Sequence, residues 1–230
     1  MPDAARWISG SREQRRRRAA AIAQIVDREK LLKGTSEITE ASIKDAEVSR
    51  VTLPNFVGAH TVFPLYGIDV PSFAQDKEQR TRNFIVIVNE TNVTACGEPR
   101  QLVNIADVTD EKRPIGVSTY EPDERAGKFC ERGGRFGAHA SHENMTAIYH
   151  KRLMFFSWFN AGVRMVDMRD PYRPKEVGYY IPARNKRPTT AAMTKRRAQG
   201  VYLSFRSTTW KSTTAATCTR LIAPTVAFSS

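Results

Sequence analysis

The stretch Arg135–Pro182, RFGAHASHENMTAIYHKRLMFFSWFNAGVRMVDMRDPYRPKEVGYYIP, carries a complete series of strand and turn signals. Leu153–Phe159 is an apolar run of strand length, Asn160–Gly162 is a turn tripeptide, and Val163–Met168 alternates apolar with polar residues. These features predict a β-hairpin. The prolines of the DPYRP segment then favour a turn, and Glu176–Ile181 supplies a third strand. Because so small a sheet is not stable alone, the sequence should repeat it.

A second copy of this unit lies earlier in the chain. Leu102–Tyr120 aligns with Val163–Tyr180 at a constant offset of 60 residues, and a fainter copy of the end of the unit occurs at Glu47–Pro54. The aligned pairs include Asp107 with Asp167, Asp110 with Asp170, Pro114 with Pro174 and Val117 with Val177.

These residues resemble the LVIVD-repeat β-propeller proteins, whose signature is a hydrophobic strand ending in Asp and followed by a D-P-x-x-P turn. The resemblance covers about Val48–Pro182 and includes the family's G-x-H-T-x-x-P-L element at Gly58–Leu65. It implies an all-β fold. A blade needs about 40 to 45 residues and a closed ring has about 4 to 8 blades. Residues 35–183 therefore predict a partial β-propeller of about three blades. The family is largely uncharacterised in function. We expect a binding or scaffold protein with a protein or small-molecule partner, since that is the commoner role of propellers.

The charge of the chain lies outside this region. The net charge is +12, of which residues 1–34 carry +5 and residues 184–230 carry +9, which leaves −2 for residues 35–183. A nucleic-acid partner is not predicted, because the basic surface of such a protein should belong to its folded domain. Residues 1–34 are interpreted as a basic leader, either disordered or helical through Arg15–Leu32. Neither a signal peptide nor a membrane span is recognised, so the chain as written is expected in the cytoplasm with no membrane partner.

Residues 184–230 have no acidic residue and no periodicity, and they are rich in Ser and Thr. This composition predicts a disordered tail. Reading Arg206–Phe228 one nucleotide earlier permits the string INNVEVDDRGYMYTPDRANSGLH, which resembles a further blade of the family. We therefore interpret the tail as out of frame, and the protein as a truncated member of the family.

Three of the four histidines fall at equivalent places in successive blades. His60 precedes the first strand of one blade, and His139 and His142 precede the first strand of the next. Since the innermost strands of a propeller line its central channel, these side chains should converge. Imidazoles with neighbouring carboxylates suit zinc, copper or iron. The candidate metal ligands are His60, His139, His142, Glu143 and Glu90.

Two interpretations of these histidines remain open from the sequence. In one they are hydrogen-bonded structural residues of a binding protein. In the other they hold a transition metal for an oxidoreductase or hydrolase. No P-loop, G-x-S-x-G or C-x-x-C motif is present, so no catalytic residue is assigned.

The cysteines also leave two alternatives. The family places a cysteine near Cys96 and another near Cys130, so the resemblance implies that the two lie close together as a pair. With three cysteines and no secretion signal, free thiols are the other alternative.

Overall fold

The computed structural model describes residues 6–11, 20–33, 39–70, 80–132, 134–142 and 146–182. The described chain is built mainly of β-strands, with short helices between some of them. The strands are β1 Arg6–Ser11, β2 Ala20–Asp27, β3 Glu47–Asn55, β4 Ala59–Asp69, β5 Thr81–Asn89, β6 Val103–Asp107, β7 Ile115–Tyr120, β8 Gly137–Ser141, β9 Leu153–Phe159, β10 Gly162–Asp167 and β11 Lys175–Tyr180. The helices are α1 Arg28–Lys33, α2 Glu40–Ala46 and α3 Glu124–Gly127, with a 3₁₀ helix at Cys130–Arg132.

The described strands form three antiparallel sheets. The first sheet has the order β1-β2-β3, the second β4-β5-β6-β7, and the third β8-β9-β10-β11. The all-β prediction is confirmed, and so is the hairpin of β9 and β10 with β11 as the next strand. The third sheet also contains β8, which the sequence did not predict as a strand. Within the described residues the sheets do not close into a ring.

The sheets are stacked face to face, with β5 at the centre of the stack. Phe84, Val86 and Val88 pack toward the third sheet, whereas Ile85 and Ile87 pack toward the first. All five side chains are fully buried. A continuous apolar run is what a strand needs when both of its faces are covered. Phe84–Val88 is such a run, which explains why it forms the central strand of the stack.

The same contact joins each sheet to the next. Ser118 Oγ in β7 donates a 2.5 Å hydrogen bond to the carbonyl oxygen of Pro171 in the turn between β10 and β11. Ser49 Oγ in β3 donates in the same way to the carbonyl oxygen of Glu111, in the turn between β6 and β7. Because Glu111 and Pro171 are themselves 60 residues apart, the two interfaces are copies of one arrangement.

The repeated aspartates occupy matching places, as predicted. Asp107 Oδ1 accepts from the backbone N–H of Thr109 at 2.8 Å, and Asp167 Oδ1 accepts from that of Arg169 at 3.0 Å. Each carboxylate thereby starts the turn after its strand. The strands before them also share a β-bulge, between Ile105 and Ala106 in β6 and between Met165 and Val166 in β10. The repeat is thus structural as well as sequential.

The prediction of a helical or disordered leader is wrong for residues 6–11 and 20–27, which form β1 and β2. Of the described residues in the predicted helix, Arg28–Leu32 at its end are helical, as part of α1. In β2 the alternate residues Ala21, Ala23 and Ile25 are buried against the second sheet. Burial of every second side chain outweighs the helix propensity of alanine in this segment. The predicted tail, residues 184–230, lies outside the described residues.

β2 also contains a copy of the repeat that the sequence comparison missed. Ile25-Val26-Asp27 ends the strand as Ile105-Ala106-Asp107 ends β6, and the pairing of β2 with β3 shifts between Ile25 and Val26, as at the two bulges. The repeat was hard to recognise in the sequence because α1 and α2 lie between β2 and β3, where the other two sheets have a short turn.

No described helix is long and apolar enough to cross a membrane.

Candidate functional site at the edge strands

The candidate site lies where the edge strands of the second and third sheets begin. His60 is the second residue of β4, and His139 is the third residue of β8. Both histidines therefore lie inside a strand and not before one, which corrects the sequence prediction. β8 was missed because its sequence, GAHAS, has neither apolar alternation nor branched residues.

The structure brings His60, His139 and Glu90 together. The two imidazole rings are tilted against each other with centroids 4.5 Å apart. His139 Nε2 lies 4.0 Å from Glu90 Oε1, and the His139 and Glu90 side chains are 18% and 23% exposed. His60 is exposed, and its Nδ1 lies 2.9 Å from the Thr61 hydroxyl. Three of the five predicted ligands are thus neighbours at a partly solvated place.

Arg135 is a member of this group that sequence reasoning did not identify. Its Nη1 lies 3.6 Å from Glu90 Oε1 and donates to the carbonyl oxygen of Thr91 at 3.1 Å. The guanidinium stands over the ring of Phe159, 5.3 Å from its centroid, and the same ring contacts His139. Arginine at this place balances the Glu90 charge, so a carboxylate, a guanidinium and two imidazoles share one small region.

His142 serves another purpose. Its Nδ1 accepts a 3.1 Å hydrogen bond from the backbone N–H of Phe155, so the neutral ring carries its proton on Nε2. The ring is stacked on Phe63 and buried, and burial lowers its pKa. Among the described residues Nε2 has no hydrogen-bond partner. In this tautomer His142 holds β8 against β9 and offers no lone pair to a metal. Glu143, the remaining predicted ligand, lies outside the described residues.

Gln101 fixes the distance between the two edge strands through its side chain and its backbone. The side chain of Gln101 is buried, and its Oε1 accepts from the N–H of Gly58 at 3.1 Å, just before β4. The carbonyl oxygen of Gln101 accepts from the N–H of Ala138 in β8 at 3.0 Å. Gly137 permits this close approach, because a Cβ there would lie 2.7 Å from Thr91 Cβ. This steric limit gives a physical reason for the glycine two residues before His139.

A disulfide joins the two loops that carry the charged residues of the site. Cys96 and Cys130 are bonded, with their Cα atoms 5.5 Å apart, which decides between the two alternatives left by the sequence. Cys96 lies in the loop that follows Glu90, and Cys130 lies shortly before Arg135. The backbone N–H of Ala95 also donates to the carbonyl oxygen of Gly134 at 2.7 Å. The cross-link therefore holds the Glu90 loop against the Arg135 segment.

Glu98 orders the same loop from within. Its Oε1 accepts hydrogen bonds from the Thr91 hydroxyl, from the backbone N–H of Asn92 at 2.6 Å and from that of Val93 at 3.0 Å. A carboxylate with three donors is a strong local anchor. The G-E-P sequence around Glu98 gave no sign of this role, because two of the three donors are backbone N–H groups.

The described residues contain no group of three or more His, Cys, Asp or Glu side chains arranged to hold a metal ion. His60, His139 and Glu90 provide donor atoms of suitable chemistry, but Glu90 already faces Arg135 at 3.6 Å. A metal at this place would compete with the guanidinium for the carboxylate.

Comparisons of the chain with known protein families, with curated proteins and with solved structures find no match.

Proposed function

We propose that the protein is part of a β-propeller of the LVIVD-repeat type and acts as a binding scaffold. The recurrence of one inter-sheet contact, Ser49 to Glu111 and Ser118 to Pro171, supports the propeller. A stack in which each sheet repeats the packing of the previous one is the way propeller blades pack. The edge strands β4 and β8 then correspond to innermost strands.

The pairing of His60 with His139 across two sheets carries the binding proposal. Side chains from separate strands meet there, at a partly solvated place held by Gln101 and by the disulfide. Two imidazoles and a guanidinium provide hydrogen-bond donors, and Glu90 provides an acceptor. The ligand class that fits is a small polar molecule with a carboxylate or similar anionic group, which the donors would bind while Glu90 selects its orientation.

The second candidate is a metal-dependent oxidoreductase or hydrolase. The observation in its favour is the position of His139 Nε2, which lies 4.0 Å from Glu90 Oε1 and beside the second imidazole. Two imidazoles and one carboxylate are a common ligand set for zinc or non-haem iron.

Both candidates are tested by recording the imidazole NMR signals of the full chain during titrations. The probes are acetate, malonate and citrate for the first candidate, and Zn²⁺ and Cu²⁺ for the second. We expect saturable shifts of the His60 and His139 signals with a carboxylate, and loss of the response in His139→Ala. His150→Ala removes a histidine outside the site and should leave the response intact. Saturable binding of a metal alone would favour the enzyme, and no response to any probe would refute both.

A further inference from the structure

The outward face of the third sheet is apolar, and the equivalent residues of the second sheet are buried. Val163 and Met165 in β10 and Tyr180 in β11 are equivalent, at the 60-residue offset, to Val103, Ile105 and Tyr120. Those three counterparts are 0%, 1% and 7% exposed, because the third sheet covers them. Val163, Met165 and Tyr180 stay partly exposed, and no described residue forms a sheet over them.

The rest of this face has the same character. Register places Leu153 and Phe155 of β9 opposite Asp167 and Met165 of β10, so they belong to the same face. Its charged groups lie at one end, where Asp167 pairs with Arg169 and lies opposite Lys175. We call this surface the end face; its apolar members are Leu153, Phe155, Val163, Met165, Val177 and Tyr180. Ser157 lies opposite Val163 on the same face, but the six apolar side chains dominate it. An apolar sheet face of this size requires a partner.

The opposite end of the stack does not fit it. On the outward side of the first sheet, Gln24 Nε2 donates to Glu47 Oε2 at 3.0 Å, and Arg50 Nε donates to Glu47 Oε1 at 2.6 Å. Apolar Ile22 and Val26 lie on the same side, so the charged groups form only part of it. Packing the apolar end face on these groups would bury charges with no new partners, which is costly. Head-to-tail stacking of copies is therefore disfavoured.

We propose that the end face is a self-association surface, through which two copies of the chain pair face to face. A two-fold contact sets each apolar row against the same row of the other copy. The charged end groups remain at the rim, where solvent screens them. Because the other end of the stack carries the Glu47–Arg50 ion pair, association should stop at two copies. The inference rests on the repeat and is independent of the proposed ligand site.

The test is sedimentation velocity of the full chain over a concentration series. We expect a species of twice the 25.9 kDa chain mass. Val163→Lys and Met165→Lys should each weaken dimerisation about tenfold or more, since each buries a charge at the contact. Ile115→Lys is the matched control, because Ile115 is 65% exposed on β7 and outside the end face, and it should leave the mass unchanged.

A double variant, Val163→Thr with Met165→Thr, guards against misfolding, because threonine suits a strand and carries no charge. With its near-ultraviolet circular dichroism retained, this variant should still dimerise more weakly than the natural chain. If the natural chain stays monomeric across the series, the proposal is overturned. That result is expected if another part of the same chain covers the end face. Growth into larger species that the lysine substitutions do not reduce overturns it equally.

Discussion

His142 shows how one buried side chain links folding to pH. The ring is 5% exposed and accepts the N–H of Phe155, an arrangement that requires the neutral form. Protonation would put a charge between Phe63 and Phe155, with no carboxylate hydrogen-bonded to the ring among the described residues. The folded state therefore takes up a proton less readily than the unfolded chain.

The protein should lose stability as the pH falls below about 6.5, the ordinary value for an unfolded histidine. The folded pKa of His142 is lowered by burial, so below that pH the unfolded state binds more protons. The slope contributed by one such group is at most about 1.4 kcal/mol per pH unit. Urea titrations on both sides of this pH measure it. His142→Asn keeps an acceptor for Phe155 but does not titrate, so its slope should be smaller; an equal slope would contradict the assignment.

The burial of Arg164 could not be predicted from the sequence. The alternation of Val163–Met168 predicted a hairpin strand correctly, but it suggests that the polar residues face solvent. Arg164 is instead 4% exposed, between the rings of Phe129 and Tyr179 and bonded to Glu176 at 3.1 Å. The pattern gives the period of a strand but not which face is covered, because the stack has an interface on both sides.

The hydrogen bonds that Glu176 forms with Arg164 and Tyr120 could not be predicted from the sequence either. Tyr120, from the second sheet, donates to Glu176 of the third, and burial together with this carboxylate raises the pKa of the phenol. Asp107 and Asp167 were predictable because the repeat fixes their places. Contacts such as Tyr120 with Glu176 join residues 56 positions apart, and no local pattern records them.

The hairpin of β9 and β10 depends on one glycine. Gly162 has a φ of +76°, and a Cβ at this position would lie 2.1 Å from the carbonyl oxygen of Tyr180 and 3.0 Å from Ile181 Cα. Since these neighbours are backbone atoms of a paired strand, they cannot move aside cheaply. The turn signal in the sequence is therefore also a packing requirement between strands.

Gly162→Ala should lower the free energy of unfolding by about 2 to 4 kcal/mol, from left-handed strain and the backbone clash together. Urea denaturation followed by the fluorescence of buried Trp158 measures the loss. Gly116→Ala is the control, because nothing lies within 4 Å of a Cβ there. Its effect should stay within about 0.5 kcal/mol. Equal losses in the two variants would rule out the clash as the cause.

Elements with a strong period were predictable, and elements defined by their neighbours were not. β9, β10 and β11 have apolar runs, turn residues and prolines that fix their type. β2 contains good helix formers and becomes a strand because β1 and β3 pair with it on both sides. β8 has almost no apolar signal and becomes a strand by pairing with β9. Pairing partners supply the information that these two segments lack.

At the scale of the whole molecule, the disulfide should be a major source of stability. It closes a loop with a sequence separation of 34 residues and joins the second sheet to the segment before the third. Cys96→Ser should lower the free energy of unfolding by about 3 to 4 kcal/mol, mainly by releasing the unfolded chain. Denaturation with and without a reducing agent measures the effect. Cys218→Ser, at a position outside the described residues, is the control and should unfold like the natural chain.

Reducing agent should destabilise the natural protein by the same amount as the substitution and should leave Cys96→Ser unchanged. A natural protein that is insensitive to reduction would show that the cross-link does not form in solution.

The position of this cross-link also decides how the molecule transmits mechanical force. Cys96 precedes β6 and Cys130 follows β7, so the outer half of the second sheet lies inside the covalent loop. Tension applied at the two chain ends passes through the sulfur atoms and bypasses both strands. About 120 Å of extensible chain, for 34 residues at roughly 3.5 Å each, is thereby withheld. A single molecule stretched in oxidising solution should extend by that much less than a reduced one.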